Sequence, residues 1–176
     1  IFKFVACATT ITVLGIPLKG TIESFTTKMN KNGYRVLPES KSFPVGQRFF
    51  GVRVAGEDAI LLVSYDKETM NVYDAILTFS TFDQRTLEPK YELFKRQIER
   101  KYKKLGCEVS AEADMFYSMP MCRMNIYDSD DERIGGVYIY YWDVPADEQF
   151  DTIYQLNIRY RSNDAPSFED EYLDFY

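Results

Sequence analysis

The segment Thr86 to Gly106, TLEPKYELFKRQIERKYKKLG, decides how the rest of the chain is arranged. Leu87, Tyr91, Phe94, Ile98, Tyr102 and Leu105 recur at steps of three and four, which puts them on one stripe of a helix, while Lys95, Arg96, Glu99, Arg100, Lys103 and Lys104 fill the remaining surface. Such a stripe needs a sheet or another helix to cover it. The cations gather toward the C-terminal end, where the helix dipole favours them, so the basic side reads as a solvated face in preference to a polyanion or partner site.

Upstream of this helix, Ala8 to Leu14 is rich in β-branched residues and reads as a strand ended by Gly15-Ile16-Pro17. A shorter helix follows: Thr21 suits the N-cap, Glu23 the positive first turn, Ile22, Phe25 and Met29 form the stripe, and Gly33 stops it. After the Pro/Ser connection Lys41 to Gln47, the segments Phe49–Val54, Ile60–Tyr65 and Asn71–Ser80 form an antiparallel meander. Downstream, Gly106 leads to a short strand Cys107–Val109, a polar break Ser110–Asp114, and a second meander of Met121–Tyr127, Gly136–Asp143 and Thr152–Tyr160.

The two halves share their order of elements, with Gly33-Tyr34-Arg35-Val36 falling on Gly106-Cys107-Glu108-Val109. The expected fold is α+β: two tandem repeats of one helix followed by a three-stranded antiparallel meander, with the helices packed on one face of the sheet. The first repeat covers 1–82 and the second 83–162, leaving 163–176 as an acidic, aromatic C-terminal tail that either frays or folds back on the sheet.

At 176 residues and a net charge of -6, the chain is large enough for a substantial core and too acidic for nonspecific nucleic-acid binding. No run of eighteen apolar residues is present, so no membrane span is expected. Phe4-Val5-Ala6-Cys7 loosely resembles a lipoprotein cleavage site, but Lys3 interrupts the apolar core, and Ile1 to Val13 reads as folded chain. Cys7, Cys107 and Cys122 are odd in number; Cys107 and Cys122 either bridge or remain buried thiols.

With no histidine, the chain lacks Ser-His-Asp triads, Cys-His pairs and histidine metal sites. No catalytic residue, metal ligand set or cofactor motif is expected. Asp128, Asp130, Asp131 and Glu132 crowd into one turn, which resembles the start of a calcium loop yet lacks its distal glutamate, and which reads as a solvated loop. The binding candidate is Gly136–Asp143. Alternation sends Val137, Ile139 and Tyr141 to one face and Tyr138, Tyr140 and Trp142 to the other, with Tyr154 and Tyr160 as additions to the second set. That row is either a stacking surface for a glycan or protein partner, or a second core layer.

The opening Leu14-Gly15-Ile16-Pro17-Leu18-Lys19-Gly20-Thr21, followed by a helix and Gly33-Tyr34, resembles the start of small uncharacterised secreted proteins of gut Bacteroidetes. The order of helix and meander, given twice, is similar to the β-lactamase-inhibitor-protein and outer-membrane-assembly lipoprotein (SmpA/OmlA) fold. These resemblances imply a periplasmic, envelope or secreted location and a binding or inhibitory role. The expectation is a noncatalytic exported protein that binds a protein or glycan through Tyr138, Tyr140 and Trp142, in unknown oligomeric state. The alternative is a carboxylate-based hydrolase acting on glycans.

Overall fold

The computed structural model describes residues 8–42, 46–81, 83–116, 119–144 and 152–167. Elements follow in the order β1 (Thr12–Val13), β2 (Ile16–Pro17), α1 (Ile22–Lys31), β3 (Arg35–Val36), β4 (Gln47–Val54), β5 (Glu57–Tyr65) and β6 (Val72–Thr81). Then come α2 (Leu87–Lys104), β7 (Glu108–Phe116), β8 (Met119–Tyr127), β9 (Arg133–Val144) and β10 (Ile153–Ser162). β1 and β2 form a small hairpin, and the other strands make one eight-stranded sheet in the order β3-β4-β5-β6-β10-β9-β8-β7. Every pairing in it is antiparallel.

The expected α+β class with two tandem helix-plus-three-strand repeats is therefore corrected. The protein is mainly β, each helix is followed by four strands, and all of those strands belong to one sheet. The supposed polar break at Ser110–Asp114 is the middle of β7, a nine-residue strand. Ser, Glu and Asp alternate there with Ala, and a strand at the rim of a sheet has so little apolar burial that its hydropathy imitates a loop. The strand expected at Ala8–Leu14 shrinks to the two residues of β1, because the chain turns back at Leu14-Gly15 and pairs with Ile16–Pro17.

α2 forms where its periodicity places it. Leu87, Tyr91, Ile98 and Tyr102 are buried and Phe94 and Leu105 pack partly buried against the same core. Tyr91 meets Tyr141 of β9 edge to face at 5.8 Å, and Phe94 meets Phe79 of β6 at 5.2 Å, so the helix lies across the middle of the sheet. α1 is capped by Thr21, whose hydroxyl accepts from the Ser24 amide, and it sets Phe25 against Phe50 of β4. Glycines in the left-handed region, Gly33 and Gly106, follow both helices.

Between the helices, Ile11, Val13, Ile16 and Leu18 close the core on this side of the sheet. The Thr12 amide donates to the Tyr102 hydroxyl, and Lys101 reaches the Thr12 carbonyl and hydroxyl. Burial raises the pKa of Tyr102 and Tyr160, pushes Tyr91 up to about 12, and lowers that of Lys101. The Cys122 thiol, also pushed up by burial, is free, so the Cys107–Cys122 bridge is not formed. Residues 1–7, which include Cys7 and its cleavage-like sequence, and the tail from Phe168 onward lie outside the described residues.

Gly135 is where this layer touches the sheet most closely. Its φ of 152° disfavours an L side chain, and an added Cβ would lie 2.3 Å from the Arg161 carbonyl oxygen and 2.5 Å from Cγ1 of Ile11. At Gly136 the nearest atom, 2.9 Å away, is Nη2 at the far end of the long Arg133 side chain, which can give way more easily than backbone. Gly135→Ala is expected to lose about 3 kcal/mol of stability in urea unfolding, and Gly136→Ala clearly less; equal losses would contradict the close approach at Ile11.

Candidate functional site: the helix-free face of the sheet

The pleat sends alternate residues to the two faces, and strand register shows which ones share a row. On the helix-covered face, Phe50, Leu61, Leu77, Ile158, Ile139 and Cys122 run from β4 to β8. The opposite face has a different composition. Its first row joins Trp142, Gln155 and Ser80, and its second joins Met121, Tyr140, Asn157, Thr78 and Ile60. The third joins Arg123, Tyr138, Arg159, Ile76 and Leu62, and the fourth Asn125, Gly136, Arg161, Asp74 and Ser64.

Tyr138, Tyr140 and Trp142 thus stand in line on the helix-free face of β9. Tyr138 and Tyr140 are only 7% and 6% exposed, and Trp142 is half-buried. The Trp142 indole N–H donates to Gln155 Oε1 at 2.8 Å, and its ring meets that of Tyr140 edge to face at 6.2 Å and 84°. Both contacts fix the orientation of the indole. Tyr154 and Tyr160, which the sequence suggested as additions to this row, belong to the other face: they pair with Asp143 and Val137, and Tyr160 is buried near Tyr102.

Sequence reasoning missed the polar cluster beside the tyrosines. Asp74, with no exposure, receives Arg159 Nε on Oδ2 at 2.8 Å, and Arg161 Nη1 lies 3.2 Å from the same oxygen. Arg161 also donates to the Pro166 carbonyl. Asn157, 4% exposed, accepts from the Thr78 hydroxyl at 2.8 Å. The signal was the alternation in β10, where Gln155, Asn157, Arg159 and Arg161 interleave with Leu156, Ile158 and Tyr160. A second signal was Asp74, the single charged residue of β6.

Carboxylates elsewhere have local duties. Asp128 Oδ1 accepts from the amides of Asp130 and Glu132, holding its own turn. Asp114 and Glu112 flank Arg123 at 2.6 Å and 3.9 Å. Among the described residues no cluster of three or more His, Cys, Asp or Glu side chains is placed to hold a metal ion. No helix among them is long and apolar enough to cross a membrane.

No family model, curated protein or solved structure matches this chain. The functional reading rests on the geometry of this face.

Replacing Asp74 by Asn removes the charge that two neighbouring guanidiniums share in a place shielded from solvent. Asp74→Asn is expected to cost about 3 kcal/mol in urea unfolding, whereas Asp130→Asn in the exposed turn stays within about 0.5 kcal/mol. A midpoint unchanged by the first substitution would show that this cluster does not hold the strands together.

Proposed function

We propose that this is a noncatalytic binding protein, exported or held in the cell envelope, that takes a protein or glycan partner on the helix-free face at Trp142. The observation that carries the reading is the half-buried indole, locked by the Gln155 amide and the Tyr140 ring. A ring held still before the ligand arrives loses little entropy on binding, and an aromatic plane partly open to solvent suits a sugar ring or an apolar anchor. Gln155 and the exposed Ser80 in the same row supply an amide and a hydroxyl beside that plane, which favours a glycan.

The location follows the resemblance of Leu14–Thr21 to secreted proteins. Support for a noncatalytic role comes from the carboxylates. Asp74, the buried carboxylate among the described residues, is committed to Arg159 and Arg161, and the Asp128–Glu132 group sits in one turn whose backbone it supports. A glycan hydrolase needs two carboxyl groups facing each other across the substrate.

Trp142 is the single tryptophan of the chain, so its fluorescence reports on the site directly. Titration with a panel of soluble polysaccharides is expected to give a saturable change in emission for at least one. Calorimetry with that polysaccharide is expected to show binding to Trp142→Ala at least about tenfold weaker, with an unchanged circular dichroism spectrum. Absence of a saturable response across the panel would overturn the glycan preference, and undiminished binding by Trp142→Ala would overturn the site.

A further inference from the structure

The two edges of the eight-stranded sheet are finished differently. At one edge β3 has only two residues, and the chain after it folds over the margin of β4: the Leu37 amide donates to the Phe49 carbonyl, and the Ser40 hydroxyl both accepts from the Phe49 amide and donates to its carbonyl. The other edge is β7, nine residues long and paired in regular register with β8 from Glu108 to Phe116. β7 contains no lysine, proline or bulge, and its guard against unselective pairing is the charge of Glu108, Glu112 and Asp114. Among the described residues β8 is its one strand neighbour.

The outward backbone groups can be assigned. The Cys107 amide bonds to the Tyr102 carbonyl and the Met115 amide to Asp114 Oδ1, so neither takes part in the β8 ladder. Antiparallel strands alternate residues that bond to the partner with residues that face away from it. Val109, Ala111 and Ala113 share the parity of Cys107 and Met115, and their amides and carbonyls therefore point away from β8. Their side chains lie on the helix-covered face, where Ala111, Ala113 and Met115 are exposed. The side chains of Ala111 and Ala113 themselves are only methyl groups.

Charge decides what can pair there. Glu108, Glu112 and Asp114 stand on the opposite face of the same strand. If two copies of β7 paired antiparallel, every register with extensive overlap would put carboxylate against carboxylate: Glu108 against Asp114, Glu112 against itself, Glu112 against Asp114, or Glu108 against Glu112. Like charges directly opposite one another destabilise a pair. Arg123 of β8 offsets one of these three carboxylate charges, and a strand that alternates Lys or Arg with apolar residues meets the remainder with cations, while its apolar side chains lie over Ala111, Ala113 and Met115.

We propose that β7 is a docking edge that accepts an extended segment of a partner protein, alternating basic and apolar residues, as a ninth strand of the sheet. This surface is separate from Trp142, and its test is independent of the glycan reading.

The probe is a synthetic nine-residue peptide alternating Lys and Val, compared with a peptide of the same composition whose lysines and valines are segregated in two blocks. The alternating peptide is expected to bind the full chain and to slow hydrogen exchange at the amides of Val109, Ala111 and Ala113, seen by NMR, while the block peptide does neither. Ala113→Pro removes one outward amide without touching the β8 ladder and is expected to abolish the protection. Glu108→Lys combined with Glu112→Lys leaves that backbone intact and is expected to weaken binding roughly five- to tenfold. Equal binding of the block peptide, or exchange at the three amides unaffected by the alternating peptide, would overturn the proposal. So would a dimer of the chain that protects the same amides, because self-pairing is what the charge pattern excludes.

Discussion

Where β6 meets β10, a carboxylate shielded from solvent faces two guanidiniums, and that contact lies on the seam between the strands that follow α1 and those that follow α2. The eight β6–β10 pairs from Tyr154–Thr81 to Arg161–Asp74 make the two strand groups one sheet. Burial of an ion pair is a poor source of net stability, but removal of one partner is costly, so such a pair acts mainly to specify register. Sliding β10 by one residue would turn Arg159 and Arg161 toward the helix-covered core and Ile158 and Tyr160 away from it. The polar cluster and the apolar alternation therefore select the same alignment.

That alignment settles the rest of the molecule. With Leu77, Ile158 and Ile139 on one row, α2 has a continuous apolar floor, and Phe94 and Tyr91 reach one strand that precedes the helix and one that follows it in the sequence. The hairpin of β1 and β2 then fits between the helices, held by Tyr102, Lys101 and the bare backbone at Gly135. On the other face the same register lines up Tyr138 and Tyr140 with Arg159 and Asn157, leaving Trp142 at the end of the row. The position of the candidate site is thus a consequence of how the seam is aligned.

Local alternation and helical periodicity revealed α2, the core of α1 and the long interior strands, because each of those signals is written in neighbouring residues. β7 escaped because an edge strand buries little, and Ser-Ala-Glu-Ala-Asp reads as polar. The seam escaped for another reason: Asp74 and Arg159 are 85 positions apart, and no local pattern indicates that they meet. The two faces of β9 were readable from alternation, as was the apolar role of Val137 and Ile139. The burial of Tyr138 and Tyr140, and the assignment of Tyr154 and Tyr160 to the core side, depend on pairings that only the fold supplies.

Native-state hydrogen exchange along β6 and β10, followed by NMR as urea is raised, tests this dependence on the seam most directly. Amides in β6 and β10 are expected to exchange only through global opening, with the same free energy and the same urea dependence as the interior amides of β5 and β9. Opening of the strands following α1 at a clearly lower free energy than those following α2, while the latter stay protected, would contradict the dependence on the seam.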